Sequence, residues 1–239
     1  MPTTSKALSI GSLFHECIEA HYSGRDPFEP LGTAQNVGDL DPEYLDIVEW
    51  MLTGYIEHYK DDPNWEVIEV EKKFEFSLGP GIRIKGKVDL LVKDNSAGGG
   101  IWCVDHKTHS KPIKGKALEF DDQFGLYAWL LKKNGIDVRG VIHNAVRTER
   151  LKRAMTMEER FKRTYTTRAD KELKRLAEEA YAIFNRGLQP WSGQPPRGTD
   201  TDRCTWKCDF TEVCLMARKG PDIEQLLTDV GATIDTTRH

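Results

Sequence analysis

The run Gly86-Lys-Val-Asp-Leu-Leu-Val-Lys-Asp-Asn-Ser-Ala-Gly-Gly-Gly-Ile-Trp-Cys-Val-Asp-His-Lys107 carries the pattern from which the rest of the chain is read. Apolar stretches at 88–92 and 101–104 flank Asp94, Asn95, Ser96 and three glycines, so two neighbouring strands joined by a tight reversal are expected. That pairing brings Asp89 near Asp105. Lys107 follows Asp105 by two residues, and the alternation of a strand sends both side chains to one face. Two carboxylates and an ammonium at one spot suit a divalent cation held by oxygen ligands, with the lysine beside a reacting water or phosphate. A surface salt bridge is the simpler alternative.

Outward from this run, Leu8, Leu13, Phe14 and Ile18 recur at near-helical intervals and predict a helix from Ser5 to Tyr22 that carries His15 and Cys17. Residues 23–41, rich in Gly, Pro and Asp, are expected to form a loop. Pro42 opens a second amphipathic helix to Tyr59. Alternation from Trp65 to Leu78, the turn Gly79-Pro80-Gly81 and the stretch from Ile82 to Val92 predict a hairpin, and Ile101 to His106 a third strand. A helix from Leu118 closes at Asn134-Gly135, and a fourth strand spans Val138 to Val146. The following basic stretch is expected to be irregular until a helix near Ala169 to Arg186. Residues 189–202 read as a linker, and a short helix near Ile223 to Val230 precedes a polar tail. The expected class is α/β, in the sense of an α+β mixed sheet flanked by helices.

A chain of 239 residues fits one large domain, or one domain with a small appendage. No apolar run approaches a membrane span and the first residues lack the apolar core of a signal peptide, so a cytoplasmic location without a membrane partner is expected. The net charge of -4 does not point to nucleic acid, but residues 147–175 hold eleven Lys or Arg against five Asp or Glu, and local sign matters more at a phosphate-binding groove. Such runs are most often solvated helix faces. Of five cysteines, Cys204, Cys208 and Cys214 fall within eleven residues, a clustering that packing does not explain. Soft thiolates select iron-sulfur clusters or Zn2+, and the spacing alone does not choose between them.

His15 in Gly11-Ser-Leu-Phe-His15, Asp89 in Gly86-Lys-Val-Asp89, Asp105-His-Lys107, Gln123-Phe-Gly-Leu-Tyr127 and the cysteine segment resemble, in order and context, the RecB-like nucleases of the PD-(D/E)XK superfamily. The likeness runs over roughly residues 8 to 216 and is greatest to the branch of exonucleases with an iron-sulfur cluster, which includes the CRISPR-associated exonuclease family, its phage relatives and the AddB nuclease domain. Many members have Glu where this chain has Asp105.

The resemblance implies a restriction-endonuclease-like core with N-terminal helices over residues 1–188, a cysteine-rich clamp packed on it over 189–220, and a C-terminal helix and tail over 221–239. It implies a DNA exonuclease dependent on Mg2+ or Mn2+, with Asp89, Asp105 and Lys107 catalytic, and with His15, Asp89, Asp105 and the His106 backbone carbonyl on the metal. Gln123 and Tyr127 would lie along DNA, with single-stranded ends as substrate. A [4Fe-4S] cluster would be held by Cys204, Cys208, Cys214 and a fourth cysteine that the family pattern places upstream of Gly11; Zn2+ is the alternative. Cys17 is a candidate for that ligand, about 200° round the helix from His15; otherwise the ligand lies on a preceding segment. Cys103 reads as a small apolar core residue, His109 has no role, and Glu69, Glu71 and Glu75 share one strand face and cannot be ranked. Recombination, repair or phage replication would be the setting, with a helicase or recombination proteins as partners. The competing reading is a DNA-end-binding adaptor subunit of a recombination or CRISPR-adaptation complex.

Overall fold

The computed structural model describes residues 6–187, apart from 39, 61–63, 97–98, 112–117, 120 and 152. The cysteine segment with Cys204, Cys208 and Cys214, the linker and the helix expected near 223–230 lie outside the described residues. In chain order the elements are α1 (Lys6–Tyr22), α2 (Glu29–Val37), α3 (Pro42–Tyr59), β1 (Trp65–Gly79), β2 (Ile82–Asp94), β3 (Ile101–His109), α4 (Asp122–Lys133), β4 (Val138–Arg147), α5 (Met157–Arg160), β5 (Phe161–Thr166) and α6 (Asp170–Gly187). The fold is the expected mixed α/β arrangement, a five-stranded sheet in the order β1-β2-β3-β4-β5 flanked by helices.

β1 to β3 form an antiparallel meander, β4 joins β3 in parallel, and β5 closes the edge antiparallel to β4. A parallel neighbour needs a crossover, and α4 supplies it. Asp121 caps α4 by accepting the Gln123 backbone N–H at 2.9 Å, so the helix begins at Asp122 and not at Leu118 as periodicity suggests. Phe124, Ala128 and Leu131 of α4 pack with Leu91, Cys103 and Val141 of the sheet and with Leu173 of α6. A second cluster joins α1, α2 and α3 through Phe14, Leu31, Met51 and Tyr55, together with Val146 and Phe161. One helical cluster thus packs on β2, β3 and β4 and the other on β4 and β5, and the candidate site lies midway along β2 and β3.

Two expectations are corrected. Residues 29–37 are helical where a loop was expected: Pro30 tolerates the first turn, Leu31 docks into the core, and Gly38 at φ 74 ends the helix in a left-handed turn. Residues 161–166 are a strand inside the basic stretch expected to be irregular. The Thr156–Glu159 capping box starts the short α5, and Phe161 and Thr166 are buried. Among the described residues no helix is long and apolar enough to cross a membrane.

Candidate functional site

The β2–β3 ladder stops at Leu90 opposite Val104, and beyond it the strands part. The His106 backbone N–H, left without a strand partner on that side, donates to Asp89 Oδ2 at 2.7 Å. This single bond fixes one carboxylate in the cleft. Asp105 stands on β3 at the same level, and its Oδ1 meets Lys107 Nζ at 3.1 Å. Its other oxygen, Oδ2, is buried with no hydrogen-bond partner. His15 comes from α1, its Nδ1 3.7 Å from Asp89 Oδ2, with a further hydrogen bond to the His106 backbone. His15, Asp89, Asp105, His106 and Lys107, expected from scattered motifs, therefore converge.

The structure adds a residue the sequence could not rank. Glu71 has a ligand oxygen within 4.8 Å of those of His15 and Asp89. Its φ of 52 is the one positive value at a non-glycine position among the described residues, and that turn of β1 separates it from its neighbours. Glu69 is engaged by Lys72 and Glu75 by Arg83, both on the surface. Lys87 pairs with Glu71. A left-handed Glu costs roughly 1–3 kcal/mol, a strain that strand spacing does not reveal.

Electrostatics describe a site short of positive charge. Burial pushes the Asp89 carboxyl up to about 6, against the His106 N–H, and the nearby Glu71 pushes the same way. Burial also lifts Asp105 to about 6, with Lys107 opposing it. Burial holds His15 below its usual range and so favours the neutral imidazole that ligates metals. His15, Glu71 and Asp89 bring ligand atoms within 4.8 Å of one another, a donor set that fits a hard divalent cation, and Asp105 adds a carboxylate with one unpartnered oxygen.

The supporting layer is buried. His106 is buried, and burial keeps it well below the ordinary histidine range. Its Nδ1 lies 2.8 Å from Asn144 Nδ2, which also donates to Tyr55 Oη at 2.8 Å, and Tyr55 Oη bonds Tyr22 Oη at 2.8 Å. These bonds tie the strand bearing the His106 N–H to α1 and α3.

On α4, Gln123 Nε2 donates to Tyr127 Oη at 2.8 Å, so the pair shares one face as its spacing predicts. A side chain at Gly86 would put a Cβ 3.2 Å from the Tyr127 ring, so glycine there lets α4 lie against β2 beside Asp89. Burial pushes the Tyr127 hydroxyl up to about 12, with Asp105 and Asp89 adding to the shift. Cys17 is fully buried among the α1–α3 side chains, and burial raises its thiol to about 12. Cys103 is likewise buried.

Residues 1–215 match the family model described as the PD-(D/E)XK nuclease superfamily. A search of curated proteins returned no match. A solved structure titled "Crystal structure of SSO0001" is similar at 18% identity and a TM-score of 0.40, over 84% of this chain and 82% of that one.

Proposed function

The chain belongs to the PD-(D/E)XK nuclease superfamily, and on that premise we propose that it is a DNA exonuclease dependent on Mg2+ or Mn2+ that acts at single-stranded ends. The observation that carries the metal dependence is the pair of carboxylates pushed up to about 6, one with a buried oxygen lacking any hydrogen bond. Asp89, Asp105, His15 and the His106 carbonyl would hold the cation, with Glu71 in reach. Bound there, it supplies Lewis-acid stabilisation of the charge that develops on phosphorus and acidifies a water. Asp89 is oriented by the His106 N–H. Lys107, anchored on Asp105, presents an ammonium to the phosphate oxygens or to the attacking water.

The test is digestion of 5′- and 3′-labelled single- and double-stranded DNA with either cation. Asp89→Ala, Asp105→Ala and Lys107→Ala should each abolish it, and full activity in all three would remove these residues from the site. DNA binding without cleavage under any divalent cation would instead favour the adaptor reading. Digestion confined to duplex would overturn the single-strand assignment.

Cys204, Cys208 and Cys214 are proposed to hold a structural [4Fe-4S] cluster; their spacing and the resemblance to the iron-sulfur branch of the family support this. The burial of Cys17 favours a packing role for it over ligation. A brown protein after anaerobic purification, with iron and sulfide in equal amounts, would support the cluster, whereas stoichiometric zinc would replace it. Recombination, repair or phage replication, alongside a helicase or recombination proteins, is the setting this chemistry serves.

A further inference from the structure

Beyond Lys107 the same sheet face continues across β4 to β5. Registers place Asp105 beside His143 and His143 beside Thr164; one row on, Lys107 beside Ala145 and Ala145 beside Lys162; and then His109 beside Arg147. Ala145 is the small member of the middle row. Over it lies a cavity of about 220 Å³ lined by His109, Lys111, His143, Arg147, Lys162 and Thr164. From these observations we infer that the cavity is a phosphate-binding subsite for the DNA strand, one or two nucleotides from the bond being cut.

Charge, donors and position all support a phosphate. Four cationic side chains line the cavity, including Arg160, against the carboxylates of Glu158 and Glu159. Glu159 is held by Arg153 and by the Thr156 backbone N–H, and Arg160 is spent on Trp50, its guanidinium over the ring and bonded to the backbone carbonyl. Lys111 and Lys162 are exposed and make no ion pair among the described residues. Arg147 pairs with Glu149 at 3.3 Å but keeps a buried Nε with no hydrogen-bond partner. His109 and His143 touch through their Nε2 atoms at 3.1 Å, and burial holds both below the ordinary range, so they act as neutral polar walls while the lysines and Arg147 supply the charge. Lys107 and Lys162 stand two strand spacings apart, roughly 10 Å. A strand whose scissile phosphate lies at Lys107 can therefore lay a neighbouring phosphate here.

This inference rests on the nuclease reading of Asp105 and Lys107, but its test does not need cleavage. Binding of single-stranded oligonucleotides carrying a 5′-phosphate, a 3′-phosphate or no terminal phosphate is measured by anisotropy in EDTA, with the full chain and with Lys111→Ala/Lys162→Ala. Lys171→Ala/Lys174→Ala, which removes equal charge from the exposed face of α6, is the control. The cavity variant should bind about tenfold or more weakly, with the slope of log affinity against log salt shallower by roughly 0.7 per phosphate released. A loss confined to one phosphorylated end assigns a terminal phosphate, and an equal loss on all three assigns an internal diester. If the cavity variant binds no more weakly than the control variant, the subsite is overturned. A chain that binds through the cavity but cuts no DNA would sink the nuclease reading and leave the subsite standing.

Discussion

Two aspartates five residues apart on β2 show opposite ways of keeping a carboxylate in a protein. Asp94, at the strand end, is 0% exposed, yet burial is outweighed there by hydrogen bonds from Ser96, Tyr165 and Trp65 that hold its carboxyl at about 2. Ser96 donates twice, at 2.8 and 2.6 Å, Trp65 Nε1 at 3.0 Å and Tyr165 Oη at 2.5 Å. Asp89 keeps 16% of its side chain exposed but lies deeper in the protein, where burial dominates; it accepts one backbone N–H and sits at about 6. Solvent exposure therefore does not mark the functional group; a deep position combined with a shortage of donors does. Asp94 fastens β1, β2 and β5 together with neutral donors, whereas Asp89 and Asp105 are held short of partners that a cation can supply.

The sharpest way to break this comparison is to neutralise each carboxylate in turn. Asp89→Asn or Asp105→Asn should lower DNA cleavage about a thousandfold or more, while the metal-free protein at pH 7 resists urea as well as before or better, because a buried charge has gone. Asp94→Asn should do the reverse. It removes charge-assisted bonds worth roughly 1–3 kcal/mol in all and leaves turnover per folded molecule nearly unchanged. An Asp94→Asn protein that keeps its unfolding midpoint but loses cleavage would erase the distinction.

pH separates the same residues. Asp89 and Asp105 titrate near 6 in the fold against about 3.9 unfolded, so between those values the folded state binds more protons. Their contribution to stability is present below about pH 4 and is lost as pH rises through 6. Asp94 has the opposite sign: its contribution is present above about pH 4 and is lost as pH falls through 2. The melting temperature of metal-free protein should carry a downward component from pH 4 to 7 that Asp89→Asn/Asp105→Asn removes. Mn2+ should raise melting more at pH 7 than at pH 5, since its ligands must lose protons. Equal metal-induced shifts at both values would show that the cation binds elsewhere.

Much of this site was legible because it hangs on a strand period. Asp105 and Lys107 share a face by alternation, Gln123 and Tyr127 by helical spacing, and both relations hold in the structure. Asp89 reached its place by a different route: the ladder opens after Leu90, and a free N–H, not a cross-strand pair, holds the carboxylate. α2 was hidden because its propensity is poor and one docked leucine with a terminal glycine decides it. β5 was hidden because Lys162 and Arg163 masked the alternation of Phe161 and Tyr165 with Thr164 and Thr166. Glu71 was unreadable for a stricter reason: its backbone leaves the β region, so no period assigns its side chain. Glu71→Gln should accordingly weaken Mn2+ binding about tenfold by calorimetry, and unchanged affinity would confine Glu71 to its bond with Lys87.

The smallest effects belong to the face of α4, where they decide how far the donor-poor region extends. The Tyr127 ring packs against Gly86 and the core cluster, and its hydroxyl is the part on which the charges of Asp105 and Asp89 act. Tyr127→Phe keeps the ring and loses the bond from Gln123, which should cost about 1 kcal/mol of stability and change single-strand binding no more than roughly threefold. Gln123→Ala exposes the same hydroxyl without altering the ring, so the two variants should differ little in urea and in DNA affinity if Gln123 serves mainly to hold Tyr127. A larger loss of affinity in Gln123→Ala would put the amide on the DNA itself. If instead Tyr127→Phe binds DNA normally but fails to cut it, the hydroxyl would count among the groups serving Asp89 and Asp105. The boundary between packing and chemistry would then run through a single oxygen on α4.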